Sequence, residues 1–187
     1  MEYVEPIRNI DSINTIKSLL RKKSQRDLLL FVLGINTGIR ISDLLSLKVK
    51  EVMDETGIKE FLYIGDSACT EGRAYYLNSS VKGELIRYFD MVNCKKEDYL
   101  FKSSKYDQPI SRQQAYRIIN KAAKEAGIPG KIGTHTIRKT FGYHAYRKGI
   151  AISILMEIYH HHTPSETLKY LGINKNEKSL IRVDVNL

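Results

Sequence analysis

Cysteine is scarce in this chain. Cys69 and Cys94 are the only two among 187 residues, and they make neither a disulfide framework nor a CxxC metal pair. A reducing, cytoplasmic setting is therefore expected. Long apolar runs are missing as well. The longest, LLLFVLGI at 28–35, falls far short of the roughly 20 residues that span a bilayer, and it reads as a buried helix. The N-terminal stretch MEYVEPIRNID has no apolar segment of the kind a signal peptide carries. Repeats and low-complexity tracts are absent. Acidic residues are in deficit: 21 Asp and Glu stand against 30 Lys and Arg, giving a formal charge of +9 and a pI near 9.4. That excess favours a polyanionic partner, with DNA or RNA first and an anionic membrane surface second.

What is present suffices for one domain with a small extension, and 42% hydrophobic residues can build its core. Apolar residues at 10, 13, 16, 19 and 20 have helical spacing behind a cap at Asp11 or Ser12. Arg26–Asn36 reads as a central helix, apolar nearly all round and ended by Thr37-Gly38. Ser42 is expected to cap a short helix over Asp43–Leu47. Two β-branched or aromatic runs, Glu60–Gly65 and Arg73–Asn78, flank a polar loop and predict a hairpin, with Lys48–Met53 as a weaker third strand. Helices resume at Ser80–Met91 and behind the capping box Ser111-Arg-Gln-Gln114, up to Ala126. Thr134 is expected to cap His135–Lys148, and Ile152–His160 follows. Thr163-Pro-Ser-Glu166 opens a last helix to Leu171, stopped by Gly172. The fold class is mainly α with a small antiparallel β-sheet (α+β), since no strand–helix alternation suggests a parallel sheet.

All five histidines lie in the last third of the chain, three of them consecutive at 160–162. Zinc needs three or four convergent ligands. Neighbouring residues on one helix point about 100° apart, so a triplet cannot converge on one ion, and no cysteine or further histidine completes a site. No metal is expected. His135 and Arg138 share one face of their helix. Arg40 follows a glycine turn at the end of the most apolar helix, where a forked and permanently charged donor set can take a phosphate. Asp43 is placed to hold that guanidinium.

Arg40, His135-x-x-Arg138, His161 and Tyr170, in this order and spacing, resemble the tyrosine recombinase (phage integrase) family. The matching segments are TGIRISDLLSL, THTIRKTF and HHHTPSETLKYLGI. The resemblance implies a catalytic domain over residues 1–173 that cleaves and rejoins double-stranded DNA without metal, ATP or other cofactor. It implies Tyr170 as the nucleophile, forming a 3′-phosphotyrosyl link. Arg40 and Arg138 would clamp the phosphate, and His135 and His161 would hydrogen-bond it or move protons. Asp43 would support them. Of the triplet, His160 is expected to be helix-end packing and His162 a loop residue near the backbone. The family further implies a mobile-element setting and a homo-tetramer on DNA, with the tail 174–187 docking on a neighbouring protomer.

Two departures stand out. The family carries a lysine in the hairpin loop as general acid, and the loop Gly65–Gly72 (GDSACTEG) has none. Arg73, just after it, is the expected charge stabiliser. An alternative follows: a DNA-binding module with an impaired active site. The helical core-binding and arm-binding domains that precede the catalytic domain in full-length integrases are not expected in this chain.

Overall fold

Asn9 opens the first helix, in place of Asp11 or Ser12. Its side-chain oxygen accepts from the backbone N–H groups of Asp11 (2.7 Å) and Ser12 (3.4 Å), and α1 runs over Ile10–Lys23. The computed structural model describes residues 4–65 and 72–173. Expectations for the hairpin loop and for the tail fall on 66–71 and 174–187, outside these residues.

Helix α2 (Gln25–Thr37) is the centre of the molecule. Leu28 to Leu33 are all buried, as an apolar run without a polar face requires. Each such side chain withdrawn from water contributes about 1.5–3 kcal/mol. Gly38 ends the helix in the left-handed region (φ 67°), and a Cβ there would collide with the ring of Phe141. Helix α3 is Ile41–Ser46. Arg40, not Ser42, takes its cap position: the Arg40 carbonyl accepts from Asp43 and Leu44 N–H, both at 3.0 Å.

Lys48–Met53 is not a strand. Val49–Val52 forms one helical turn, α4, because Glu51 reaches back to the Lys48 amide (2.7 Å) and buries Val49 and Val52 on one side. Two short antiparallel sheets follow instead of one. Strands β1 (Met53–Asp54) and β2 (Gly57–Ile58) pair with each other, as do β3 (Phe61–Ile64) and β4 (Arg73–Tyr76). Leu62 opposes Tyr75, and both are buried. Phe61 opposes Tyr76 on the outer face, with ring centroids 5.6 Å apart.

Helix α5 (Ser79–Met91) packs on α2, and α6 (Arg112–Glu125) packs on α1 and α3. The Ser111–Gln114 capping box forms in both directions, at 3.1 and 2.8 Å. Helix α7 (Thr134–Arg147) begins one residue earlier than its sequence suggests. Gly133 holds the cap position, and the Thr136 hydroxyl accepts from the Gly133 amide. Helices α8 (Ile152–Tyr159) and α9 (Pro164–Leu171) finish the described chain. No helix among the described residues is long and apolar enough to cross a membrane.

The apolar interior divides in two. The larger core gathers α1, α2, α5, α6 and Ile137 of α7. A smaller one holds Leu155, Tyr159, Leu171 and Ile173, with Phe141 and Tyr170 packed against it. Helix α7 therefore touches both cores, and Arg138 lies where they meet.

Candidate active site

Arg138 is the anomaly from which the site is built. It is charged, yet only 7% exposed. One guanidinium nitrogen donates to the Gly38 carbonyl and another to the Ile158 carbonyl at 2.7 Å. The guanidinium carbon stands 4.7 Å from the centroid of the Tyr159 ring. Among the described residues no carboxylate pairs with it. Burial, above all, depresses its pKa, a sign that the charge is poorly solvated where it sits. A buried cation with neutral acceptors alone is electrostatically incomplete.

Arg40 sets a second positive charge beside the first. It is exposed and, among the described residues, its side chain makes neither hydrogen bond nor ion pair. The expected support from Asp43 is not formed. Asp43 Oδ1 accepts from the Ser42 hydroxyl (3.1 Å), because Ser42 is freed from capping and turns toward it. Arg40 and Arg138 line one cavity of about 320 Å³ together with Arg112, His135, Tyr159 and Tyr170. Its wall includes Thr134 in the first turn of α7, whose unpaired amides add positive potential.

Tyr170 reaches this cavity from the last turn of α9. That helix is short and depends on its ends. The Thr163 hydroxyl caps Glu166 N–H at 3.1 Å, Pro164 takes the first turn, and Gly172 closes it at φ 67°. Glu166 does not complete a capping box with Thr163; its carboxylate accepts from the His162 amide at 3.0 Å. Leu171 is fully buried and anchors the helix. The Tyr170 ring packs against Tyr159 (5.1 Å) and edge-on to His161 (5.2 Å). Burial raises the phenol's pKa, while the charge and hydrogen bonding of Arg138 and the charge of Arg40 hold it down.

The histidines separate by role. His135 is exposed at the cavity rim, and desolvation followed by Lys139, Arg138 and Arg112 lowers its pKa. His161 Nδ1 lies 3.0 Å from the Thr167 hydroxyl, which orients the ring toward Tyr170. Its pKa is lowered too, chiefly by burial, with Glu166 opposing. His162 is an exposed loop residue. His144 takes no part in the site; its Nε2 meets the Ile7 carbonyl at 2.9 Å. His160 is not helix-end packing. It is exposed at the end of α8, and its Nδ1 is 3.3 Å from a guanidinium nitrogen of Arg73.

Lys139 and Arg112 escaped sequence reasoning. Lys139 Nζ stands 5.0 Å over the Tyr170 ring and donates to the Val4 carbonyl at 2.9 Å. Its position next to Arg138 was a weak signal, since adjacent helical residues ordinarily diverge. Arg112 looked like part of a capping sequence only. No cluster of His, Cys, Asp and Glu able to hold a metal occurs among the described residues.

Similarity to known proteins gives the family and the fold. The family profile described as the phage integrase family matches residues 8–177. The probable integrase/recombinase YoeC of Bacillus subtilis (strain 168) is 42% identical over 94% of this chain and 93% of its own length. A tyrosine recombinase of Pseudothermotoga lettingae is 31% identical over 83% of this chain, but over only 52% of its own length. The chain thus spans nearly all of the first relative and about half of the second. Among solved structures, XerA recombinase superposes with a TM-score of 0.74 at 22% identity, over 94% of this chain and 61% of that one. The catalytic domain of bacteriophage HP1 integrase gives 0.61 at 21% identity, over 93% and 91%. At these identities the structures speak for the fold.

Proposed function

This chain belongs to the phage integrase family, and from that membership we propose that it is the catalytic part of a site-specific DNA recombinase working through a phosphotyrosine intermediate. The carrying observation is the cavity where Tyr170 meets two arginines that lack carboxylate partners among the described residues. A DNA phosphodiester supplies the missing anion. Structural neighbours point the same way, one of them being XerH recombinase bound to its difH substrate in a post-cleavage complex.

The chemistry follows from the residues. A phenol has a pKa near 10 and is a poor nucleophile until its proton leaves. His161 and His135, whose lowered pKa values keep them neutral, are the available bases. As the Tyr170 oxygen bonds to phosphorus, the bond to the 5′-oxygen breaks. The phenol proton passes to an imidazole, and the 5′-oxygen takes up a proton to leave as a hydroxyl. Negative charge grows on the non-bridging oxygens, where Arg40 and Arg138 stabilise it from fixed positions. The phosphotyrosyl bond conserves the energy of the phosphodiester, so religation requires no ATP. Each chain has one such tyrosine and cleaves one strand. Exchange between two duplexes cuts four strands and so calls for four copies on DNA.

A pool of duplexes with randomised sequence, each carrying a nick that lets the cleaved fragment diffuse away, tests the reading. The wild-type chain should form a covalent adduct that survives denaturation, and Tyr170→Phe should form none while keeping the same circular dichroism and melting temperature. Retained binding without any adduct in wild type would establish the impaired DNA-binding module instead.

A further inference from the structure

A second cavity, about 730 Å³, is lined by Gly72, Arg73, Glu157 and His160–His162. It holds a backbone peculiarity. His160 has φ 58° and ψ 46° and is the one non-glycine residue with positive φ among the described residues. A side chain in this region costs roughly 1–3 kcal/mol and persists where something else requires it. Elsewhere the chain uses glycine for the same purpose: Gly38 closes α2 and Gly172 closes α9, both at φ 67°. An imidazole occupies a position where glycine would be easier.

What the imidazole touches suggests why. Arg73 is the first residue of β4, directly after the hairpin turn that lacks lysine. One of its guanidinium nitrogens is 3.3 Å from His160 Nδ1. For this contact to be a hydrogen bond, Arg73 donates and a neutral His160 accepts. The surroundings favour that state, since desolvation and then Arg73, Arg40 and Arg138 lower the His160 pKa. Arg40 and Arg138 of the phosphate clamp thus act electrostatically on His160. His161, which lines this cavity, stands edge-on to Tyr170 of the first.

We propose that His160 is a positioning residue, which holds Arg73 at the leaving-group side of the scissile phosphate so that its guanidinium donates to the departing 5′-oxygen. This rests on the recombinase reading and deepens it. Arg73 stabilises the charge that develops as the bond to the 5′-oxygen breaks, and water in the open cavity supplies the proton that completes the hydroxyl. Free of His160, the long Arg73 side chain samples many rotamers, and misplacement by about 1 Å can cost about 10²-fold in rate.

Two substitutions separate the backbone from the acceptor. His160→Gly relieves the positive φ but removes the acceptor. His160→Asn tolerates positive φ and presents Oδ1 to Arg73. Single-turnover cleavage is measured on a nicked duplex recovered from the randomised pool, and on the same duplex with sulfur in place of the 5′-bridging oxygen. A thiol has a pKa of about 8.5, so a thiolate departs with little assistance.

On the oxygen substrate, His160→Gly and Arg73→Ala should each be slower by about ten- to a hundredfold, and the double variant should be no slower than either. His160→Asn should stay within about threefold of wild type. On the sulfur substrate the deficits should vanish. Equal deficits on both substrates, multiplying losses in the double variant, or an unimpaired His160→Gly would each overturn the assignment while leaving the recombinase reading intact. No adduct from wild type with any duplex would remove that reading, and this one with it.

Discussion

At the scale of single residues, the site is a collection of groups held in unfavourable protonation environments. Burial is the leading cause of the depressed pKa values of His135, His160, His161 and Arg138 and of the raised value of Tyr170. The three imidazoles give a testable consequence. A histidine in the unfolded chain titrates near 6.5. Folding lowers that value for all three, so between the folded and unfolded values the unfolded chain binds more protons. Stability is then full above about pH 6.5 and is lost as pH falls through the folded-state values. Thermal melts from pH 7.5 to 5 should show a falling melting temperature, and the triple substitution to glutamine should flatten the slope. A slope unchanged by that substitution would assign the acid sensitivity to other groups. Helix spacing alone related only His135 and Arg138, whereas the set Arg40, His135, Arg138, His161 and Tyr170 was legible in the sequence through its resemblance to the phage integrase family. The Arg73–His160 contact was not, since residues 87 apart in sequence meet only in the fold. One local signal existed: α8 lacks the glycine stop that follows α2 and α9, and the residue standing there is His160.

Elements explain how Tyr170 is carried. Helix α9 has eight residues, too few to be stable alone in water. It persists because Leu171 packs on α7 where Gly142 leaves room. A Cβ at Gly142 would strike Tyr159 Oη and come within 2.6 Å of Leu171 Cδ2. Tyr159 in turn donates to the Arg138 carbonyl at 2.9 Å, so the same close approach locates the clamp. Gly142→Ala should therefore cost about 1–3 kcal/mol by overpacking and lower the melting temperature by several degrees. It should also slow adduct formation about 10²-fold through displacement of Tyr170. A variant as stable and as fast as wild type would mean that α8 and α9 can shift without consequence. Helix periods were readable along most of the chain, whereas the caps at Asn9, Arg40 and Gly133 were each missed by a residue or two. Neighbouring Asn, Asp, Ser and Thr compete for the same orphan amides, and tertiary contacts choose among them. Lys48–Met53 misled for a related reason. Val49 and Val52 suit a strand by composition, but their burial on one side of a single turn fits a helix.

The whole molecule is a large core with a smaller one attached through α7. Sequence composition gave the net charge of +9 and the helical class, but not this division, which depends on which apolar faces meet. The division matters because Tyr170, the proposed nucleophile, belongs to the smaller unit. Opening α8 and α9 exposes little beyond Leu155, Tyr159, Leu171 and Ile173, whereas exposing α2 dismantles the main core and requires global unfolding. Global unfolding of a domain costs on the order of 5–15 kcal/mol. Opening α8 and α9 gives up the burial of four side chains, at about 1.5–3 kcal/mol each, and regains the conformational entropy of two short helices, so its net cost lies below that of dismantling the main core. Hydrogen exchange of the free protein should accordingly find α8 and α9 amides exchanging well ahead of those in α2, at denaturant concentrations too low to unfold the chain. Binding a duplex adds an anion beside Arg138, whose guanidinium joins α2 and α8 through the Gly38 and Ile158 carbonyls. Protection of α8 and α9 should then rise more than that of α2. Identical exchange of the two units, with and without DNA, would mean that the tyrosine is carried on a scaffold as rigid as the core, and that its approach to phosphate owes nothing to local opening.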